Sequence, residues 1–210
     1  MIKKLALYCD QEISENRVID ERWLELIGKA KPVIGYVPSA HDPEKFYFNK
    51  KRDYYADLGA SLEPYFELDN AFNEKDLPKL LSCDAIHLSG GNTFYFLHWL
   101  RKRKMLEVLK NYVAKGGILI GVSAGAILMT PDISTSTLCG DEEPNEPMDT
   151  SALALVDFLF LPHYEPEMSK GAATLQRKLK LPIYACPDGS GMIVNGQNIE
   201  LFGNAERLAS

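Results

Sequence analysis

The sequence predicts an α/β fold, three-layer α/β/α with a mostly parallel sheet between helices, on three observations. Short apolar runs with β-branched residues recur along the chain, and longer segments of helical spacing separate them. The third observation is size: 210 residues, 46% hydrophobic and 25% charged, suit one domain over residues 1–210.

Leu5-Ala6-Leu7-Tyr8 reads as the first strand. Met1-Ile2-Lys3-Lys4 imitates the basic start of a secretion signal, but the apolar run stops at Cys9-Asp10, short of the roughly 7 residues a signal core needs. Strands are expected next at 32–37, 61–66, 85–88 and 117–122, with amphipathic helices around 19–30, 45–58, 94–100 and 105–114. Gly116-Gly117 ends the last of these helices and launches the following strand. From Thr130 to Thr150 three prolines and the acidic run Asp141-Glu142-Glu143 predict a long surface loop, a feature uncommon in compact domains and often functional. An apolar stretch at 153–161, a helix over 168–179 and short strands at 183–185, 192–194 and 199–202 complete the chain.

Composition excludes several classes of function. With 23 basic and 29 acidic residues the net charge is −6, so there is no general basic excess to grip a phosphate backbone, and nucleic acid is not an expected partner. No stretch approaches the roughly 18 apolar residues of a membrane span. Cys9, Cys83, Cys139 and Cys186 are scattered without a Cys-x-x-Cys pair, which argues against a zinc site or a disulfide framework and for a reducing, cytoplasmic setting.

Gly121-Val122-Ser123-Ala124-Gly125-Ala126 fits G-x-S-x-G between a buried strand and a helix-competent segment. In such a nucleophile elbow the turn is tight enough that its neighbours must be small. Ser123 would stand at the strand's carboxyl end, with the Ala124 amide and the helix N-terminus aimed at developing negative charge. The plainer alternative is a turn whose serine only caps the helix.

A serine hydroxyl needs a base, and the chain has four histidines. His87 falls within a strand and reads as a packed residue, His98 lies mid-helix beside Trp99, and His41 follows a strand end and stays a minor candidate. His163 directly follows Phe158-Leu159-Phe160-Leu161-Pro162, a rigid element that would deliver its ring to a strand end. Asp188, in Pro187-Asp188-Gly189 after the strand at 183–185, is the candidate for orienting that ring, with Glu165 and Asp141 as competitors. The resulting order, Ser, His, Asp, differs from the Ser, Asp, His order of α/β-hydrolases. Leu88-Ser89-Gly90-Gly91-Asn92-Thr93 offers a glycine turn whose amides can approach a ligand, followed by a helix capped by Asn92 or Thr93. An oxyanion role is favoured over phosphate binding because neither G-x-G-x-x-G nor a Walker lysine is present.

Together the Gly90-Gly91-Asn92 turn, Ser123-Ala124-Gly125-Ala126, Pro162-His163 and Pro187-Asp188-Gly189 resemble the peptidase E (aspartyl dipeptidase) family of serine peptidases, related to cyanophycinase. The resemblance covers most of the chain. It implies a class I glutamine-amidotransferase-like (flavodoxin-like) fold, Ser123 as nucleophile, His163 as base, and an acid at Asp188. It also implies an oxyanion hole from the Gly91 and Ala124 amides, with Gly90 and Asn92 beside the substrate. The expected function is a serine exopeptidase acting on dipeptides or short peptides, with no metal or organic cofactor. The partner is a small peptide, and self-association into a homodimer is left open. The family carries Glu in place of Asp188 and an arginine near Ala172 or Ala173, which makes an Asp-X preference an open question. The alternatives are a non-catalytic small-molecule binding domain on the same fold, and an amidase or esterase with another substrate.

Overall fold

The structure is a computed structural model that describes residues 2–209. In chain order its elements are β1 (Lys4–Tyr8), α1 (Arg17–Ile27), β2 (Val33–Val37), α2 (Phe46–Asp57), β3 (Ser61–Tyr65), α3 (Leu77–Leu81), β4 (Ala85–Leu88), α4 (Thr93–Lys102), α5 (Met105–Ala114), β5 (Ile118–Val122) and α6 (Ala124–Ile127). There follow β6 (Leu159–Pro162), α7 (Ser169–Leu179), β7 (Ile183–Cys186), β8 (Gly191–Asn195), β9 (Asn198–Phe202) and β10 (Glu206–Arg207).

Local chemistry sets the helix limits. In α1, Ile19 and Trp23 stand one turn apart and are fully buried, and Gly28 ends the helix with φ of 68°. At the start of α4 the Asn92 side chain accepts the Tyr95 amide at 2.8 Å, satisfying one of the unpaired donors of the first turn.

Seven strands form the main sheet in the order β3-β2-β4-β5-β1-β8-β9. The first five are mutually parallel, and β8 and β9 are antiparallel additions. Because β1 and β5 pair in parallel with Tyr8 opposite Val122, the segments leaving both strands emerge side by side at one edge of the sheet. Helices cover both faces, as expected. One core cluster holds α4 and α5 through Phe94, Leu97 and Leu109, and the other holds α1 and α2 through Ile19, Trp23 and Tyr55. Central residues such as Ile86, Leu119 and Ile120 are fully buried, each contributing about 1.5–3 kcal/mol through burial. This two-sided burial is why β5 reads as a continuous apolar run rather than an alternating one. At the sheet's edges β3 contains Pro64, and β9 carries Glu200, which accepts from Arg22 Nε at 2.8 Å.

Two features go beyond or against the sequence reading. The strand at 183–185, which the sequence assigned to no sheet, stands apart from the main one: β6 and β7 pair in parallel and, with β10, form a separate three-stranded sheet packed under α7 through Leu159, Leu161, Ala172 and Ile183. Only Leu159–Pro162 of the apolar stretch 153–161 is strand, the rest being irregular backbone packed into the larger core through Leu153, Val156 and Phe158. Second, the 130–150 segment is not a surface loop throughout. Ile133, Thr135 and Ser136 are buried and Ser134–Cys139 forms a 3-10 helix, because the Thr135 hydroxyl finds the Phe160 carbonyl at 2.8 Å and so enters the interior with its polar atom satisfied. The exposed part is confined to about residues 141–149.

Candidate active site

Ser123 sits between β5 and α6 with φ of 49° and ψ of −109°, a conformation costly for a residue with a Cβ. The neighbouring glycines explain how the chain tolerates so tight a turn. A Cβ on Gly121 would lie 2.5 Å from the Gly125 carbonyl oxygen, and one on Gly125 would lie 2.1 Å from the Leu88 carbonyl oxygen. Only glycine lets β5, α6 and β4 approach this closely. Ser123 makes no side-chain cap on α6, so the plainer reading of the G-x-S-x-G turn does not describe it.

Its hydroxyl faces His163 instead, with Oγ 3.1 Å from Nε2, while His163 Nδ1 lies 2.7 Å from Asp188 Oδ1. An ionised carboxylate can only accept, so Nδ1 carries the proton and Nε2 is the acceptor for the Ser123 hydroxyl. β6 delivers His163 and β7 delivers Asp188. The carboxyl group of Asp188 is held below its ordinary range by hydrogen bonds from the Cys9 thiol and from His163. The side chains of His163 and Asp188 remain 41% and 70% exposed, so the row is open to solvent at its acid end.

On the other side of Ser123 lies the glycine turn. A Cβ built on Gly90 would come within 3.7 Å of Ser123 Cβ, which brings this backbone against the serine. Gly91 has φ of 132°, and a Cβ there would collide with the Ser39 hydroxyl at 2.2 Å. Among the described residues neither the Gly91 nor the Ala124 amide has a backbone acceptor within the protein. A cavity of about 590 Å³ continues from Gly90, Gly91 and Asn92 toward His41, Asp42, Tyr47 and Lys51. Its two cationic side chains both have carboxylate partners: Lys51 bonds Glu12 at 2.9 Å, and His41 Nδ1 lies 2.5 Å from Glu67 Oε1. Burial pushes the Lys51 ammonium below its ordinary value against the pull of Glu12, whereas Glu67 raises His41.

The remaining candidates fall elsewhere. His87 is buried and bonds the Tyr55 hydroxyl at 2.8 Å, His98 is exposed on α4, and Glu165 takes no part in the row. Asp141 accepts the Thr93 amide at 2.8 Å, fastening the 141–149 segment to the start of α4. At the position expected for an arginine, Ala172 packs into the small sheet's core, and Arg177 bonds its own helix at Ala173 O. Among the described residues two sets of metal-ligand-type atoms lie within 4.8 Å of one another, Cys9 with His163 and Asp188, and His41 with Glu67 and Asp69. Cys9 is the residue sequence reasoning missed: nothing in its spacing marks it, because its partners lie more than 150 residues away.

A hydroxyl, an imidazole and a carboxylate in a hydrogen-bonded row at strand ends, on an α/β sheet, is the arrangement of a serine-type hydrolase. Comparison with known proteins narrows the class. The model of peptidase family S51 matches residues 9–202, and the chain belongs to that family, which makes it a serine-type peptidase. An uncharacterized peptidase of Pasteurella multocida is 29% identical over 178 residues, covering 81% of this chain and 85% of its own. Peptidase E of a Nostoc species is 27% identical over 191 residues, covering 85% and 75%. A relative named a probable alpha-aspartyl dipeptidase, from Drosophila melanogaster, is 30% identical over 164 residues, covering 72% and 67%. The fold matches that of a protein assigned as peptidase E from Listeria monocytogenes, with a TM-score of 0.74 at 23% identity and all of both chains covered. Among the described residues no helix is long and apolar enough to cross a membrane.

Proposed function

We propose that the protein hydrolyses dipeptides or short peptides as an exopeptidase through Ser123, His163 and Asp188. The observation that carries this reading is the continuous row from Ser123 Oγ to Nε2 and from Nδ1 to Asp188 Oδ1. Ser123 Oγ attacks the scissile carbonyl as its proton passes to His163 Nε2. The Gly91 and Ala124 amides receive the oxyanion, and Asp188 stabilises the imidazolium. His163 then protonates the leaving amine, and water, activated by the same nitrogen, releases the acyl group from Ser123.

Substrate enters by way of the cavity beyond Gly90, Gly91 and Asn92. Because Lys51 and His41 already have carboxylate partners there, no free cation among the described residues lining the cavity awaits a substrate carboxylate, and selectivity is not confined to peptides beginning with Asp. A dipeptide panel with varied first residues tests both statements. Ser123→Ala is expected to lose at least ~10³-fold in kcat/KM, and a fluorophosphonate is expected to label wild-type protein once, at Ser123. Unchanged activity in Ser123→Ala overturns the mechanism; hydrolysis of Asp-X dipeptides alone overturns the selectivity.

A further inference from the structure

Besides Gly91, three residues around the proposed site share a positive φ: Ser123 at 49°, His163 at 53° and Gly189 at 80°. Each donates its backbone amide to a successive residue leaving β1. Ser123 N donates to Tyr8 O at 2.9 Å, His163 N to Cys9 Sγ at 3.0 Å, and Gly189 N to Asp10 Oδ1 at 3.1 Å. The Cys9 thiol in turn donates to Asp188 Oδ1 at 3.1 Å, and its sulfur lies 3.4 Å from His163 Nδ1. Cys9 is fully buried, so its sulfur has no water to bond instead.

We infer that the segment Tyr8-Cys9-Asp10 is a clamp that sets the mutual position of Ser123, His163 and Asp188, and that Cys9 is its central positioning residue. The inference rests on the serine peptidase reading above but concerns a residue that does not touch substrate. The physical need for the clamp follows from the topology. Ser123 comes from the main sheet, whereas His163 and Asp188 come from the small one, and strained backbone persists only where its surroundings over-determine it. Asp188, mostly exposed, would be free to turn toward solvent; the thiol and His163 together hold its Oδ1 in place. Desolvation keeps the thiol protonated, so the sulfur serves as a donor to the carboxylate and an acceptor for the His163 amide at once.

Cys9→Ala removes both contacts and Cys9→Ser restores both with a shorter bond. In Cys9→Ala, kcat is expected to fall roughly ten- to a hundredfold through misplacement of the base, with KM within twofold of wild type. Cys9→Ser is expected to recover most of the loss, both variants keeping the wild-type circular dichroism spectrum. Asp10→Ala, which frees the Gly189 amide while leaving the thiol intact, is expected to lower kcat severalfold with KM unchanged, and it tests the clamp should Cys9→Ala fail to fold. Wild-type kcat in Cys9→Ala or in Asp10→Ala, equal losses in Cys9→Ala and Cys9→Ser, or a change carried by KM overturns the inference. The two readings fail separately. Activity surviving in Ser123→Ala sinks the serine mechanism, whereas a dead Ser123→Ala beside a fully active Cys9→Ala sinks only the clamp.

Discussion

The two halves of the proposed site are built on different physics. Ser123 stands on a turn whose shape is dictated by sterics: Gly121, Gly125 and Leu88 are in such close approach that a single added carbon has no room, and the residues that follow, Ala124 to Ile127, are all buried. His163 and Asp188 stand on a separate three-stranded sheet, partly exposed, and reach Ser123 through polar contacts. The first half is held by packing that cannot be adjusted without unfolding. The second is held by directional bonds that can be removed one at a time, so damage there should appear in turnover before it appears in stability.

The largest expected effect falls on the polar half. His163→Gln should lower kcat/KM by roughly 10³- to 10⁴-fold, with the thermal midpoint shifted little, since the partly exposed ring is the base of the proposed mechanism. Steady-state kinetics beside a thermal melt check both parts, and a large drop in midpoint would break the contrast between the halves. On the packed half Gly125→Ala should do the opposite and destabilise the protein by about 3 kcal/mol or more, because the new Cβ meets the Leu88 carbonyl rather than a side chain that can turn away. Denaturant unfolding measures this. A stable Gly125→Ala protein would show that the turn is softer than its geometry implies.

A smaller kinetic effect, about 10²-fold in kcat, is expected for Asp188→Ala, because the imidazole keeps its backbone anchor on Cys9 and loses only the carboxylate. A loss equal to that of His163→Gln would mean that the acid does more than orient and stabilise.

The mildest effect is one of pH, and it belongs to the main sheet. His87, on β4, is fully buried among Tyr36, Tyr55 and Ile120, and burial, with Lys51 nearby, holds it far below its ordinary value. The unfolded chain therefore binds a proton that the folded one refuses. Stability is full above about pH 6.5 and falls with further acidification, by up to about 1.4 kcal/mol per pH unit from this group. In His87→Phe that portion of the slope between pH 6.5 and 5 should vanish from the melting curves; an unchanged slope would assign it to other groups.

The same division governs what could be read in the sequence. The β5–α6 turn was legible because steric demands leave a residue-type signature, here Gly121, Ser123, Ala124 and Gly125 within five residues. The Asn92 cap and the buried His87 were legible for similar local reasons. The separation of β6 and β7 into their own sheet was not, since short apolar strands look alike whichever sheet they join. Nor was burial of Thr135, which depends on the Phe160 carbonyl, a partner that only folding supplies. Cys9 was invisible as a participant because its three contacts exist only where the ends of β1, β6 and β7 converge.

The ends of the seven-stranded sheet have a consequence for how the protein behaves when crowded. An open sheet invites a further strand at either edge, the first step of edge-to-edge aggregation. A strand approaching β3 meets Pro64, which offers no amide hydrogen to pair with. One approaching β9 meets the Glu200 carboxylate, pinned by Arg22 and costly to strip of its partner and its water. Both borders of the sheet thus carry residues that discourage growth by strand addition.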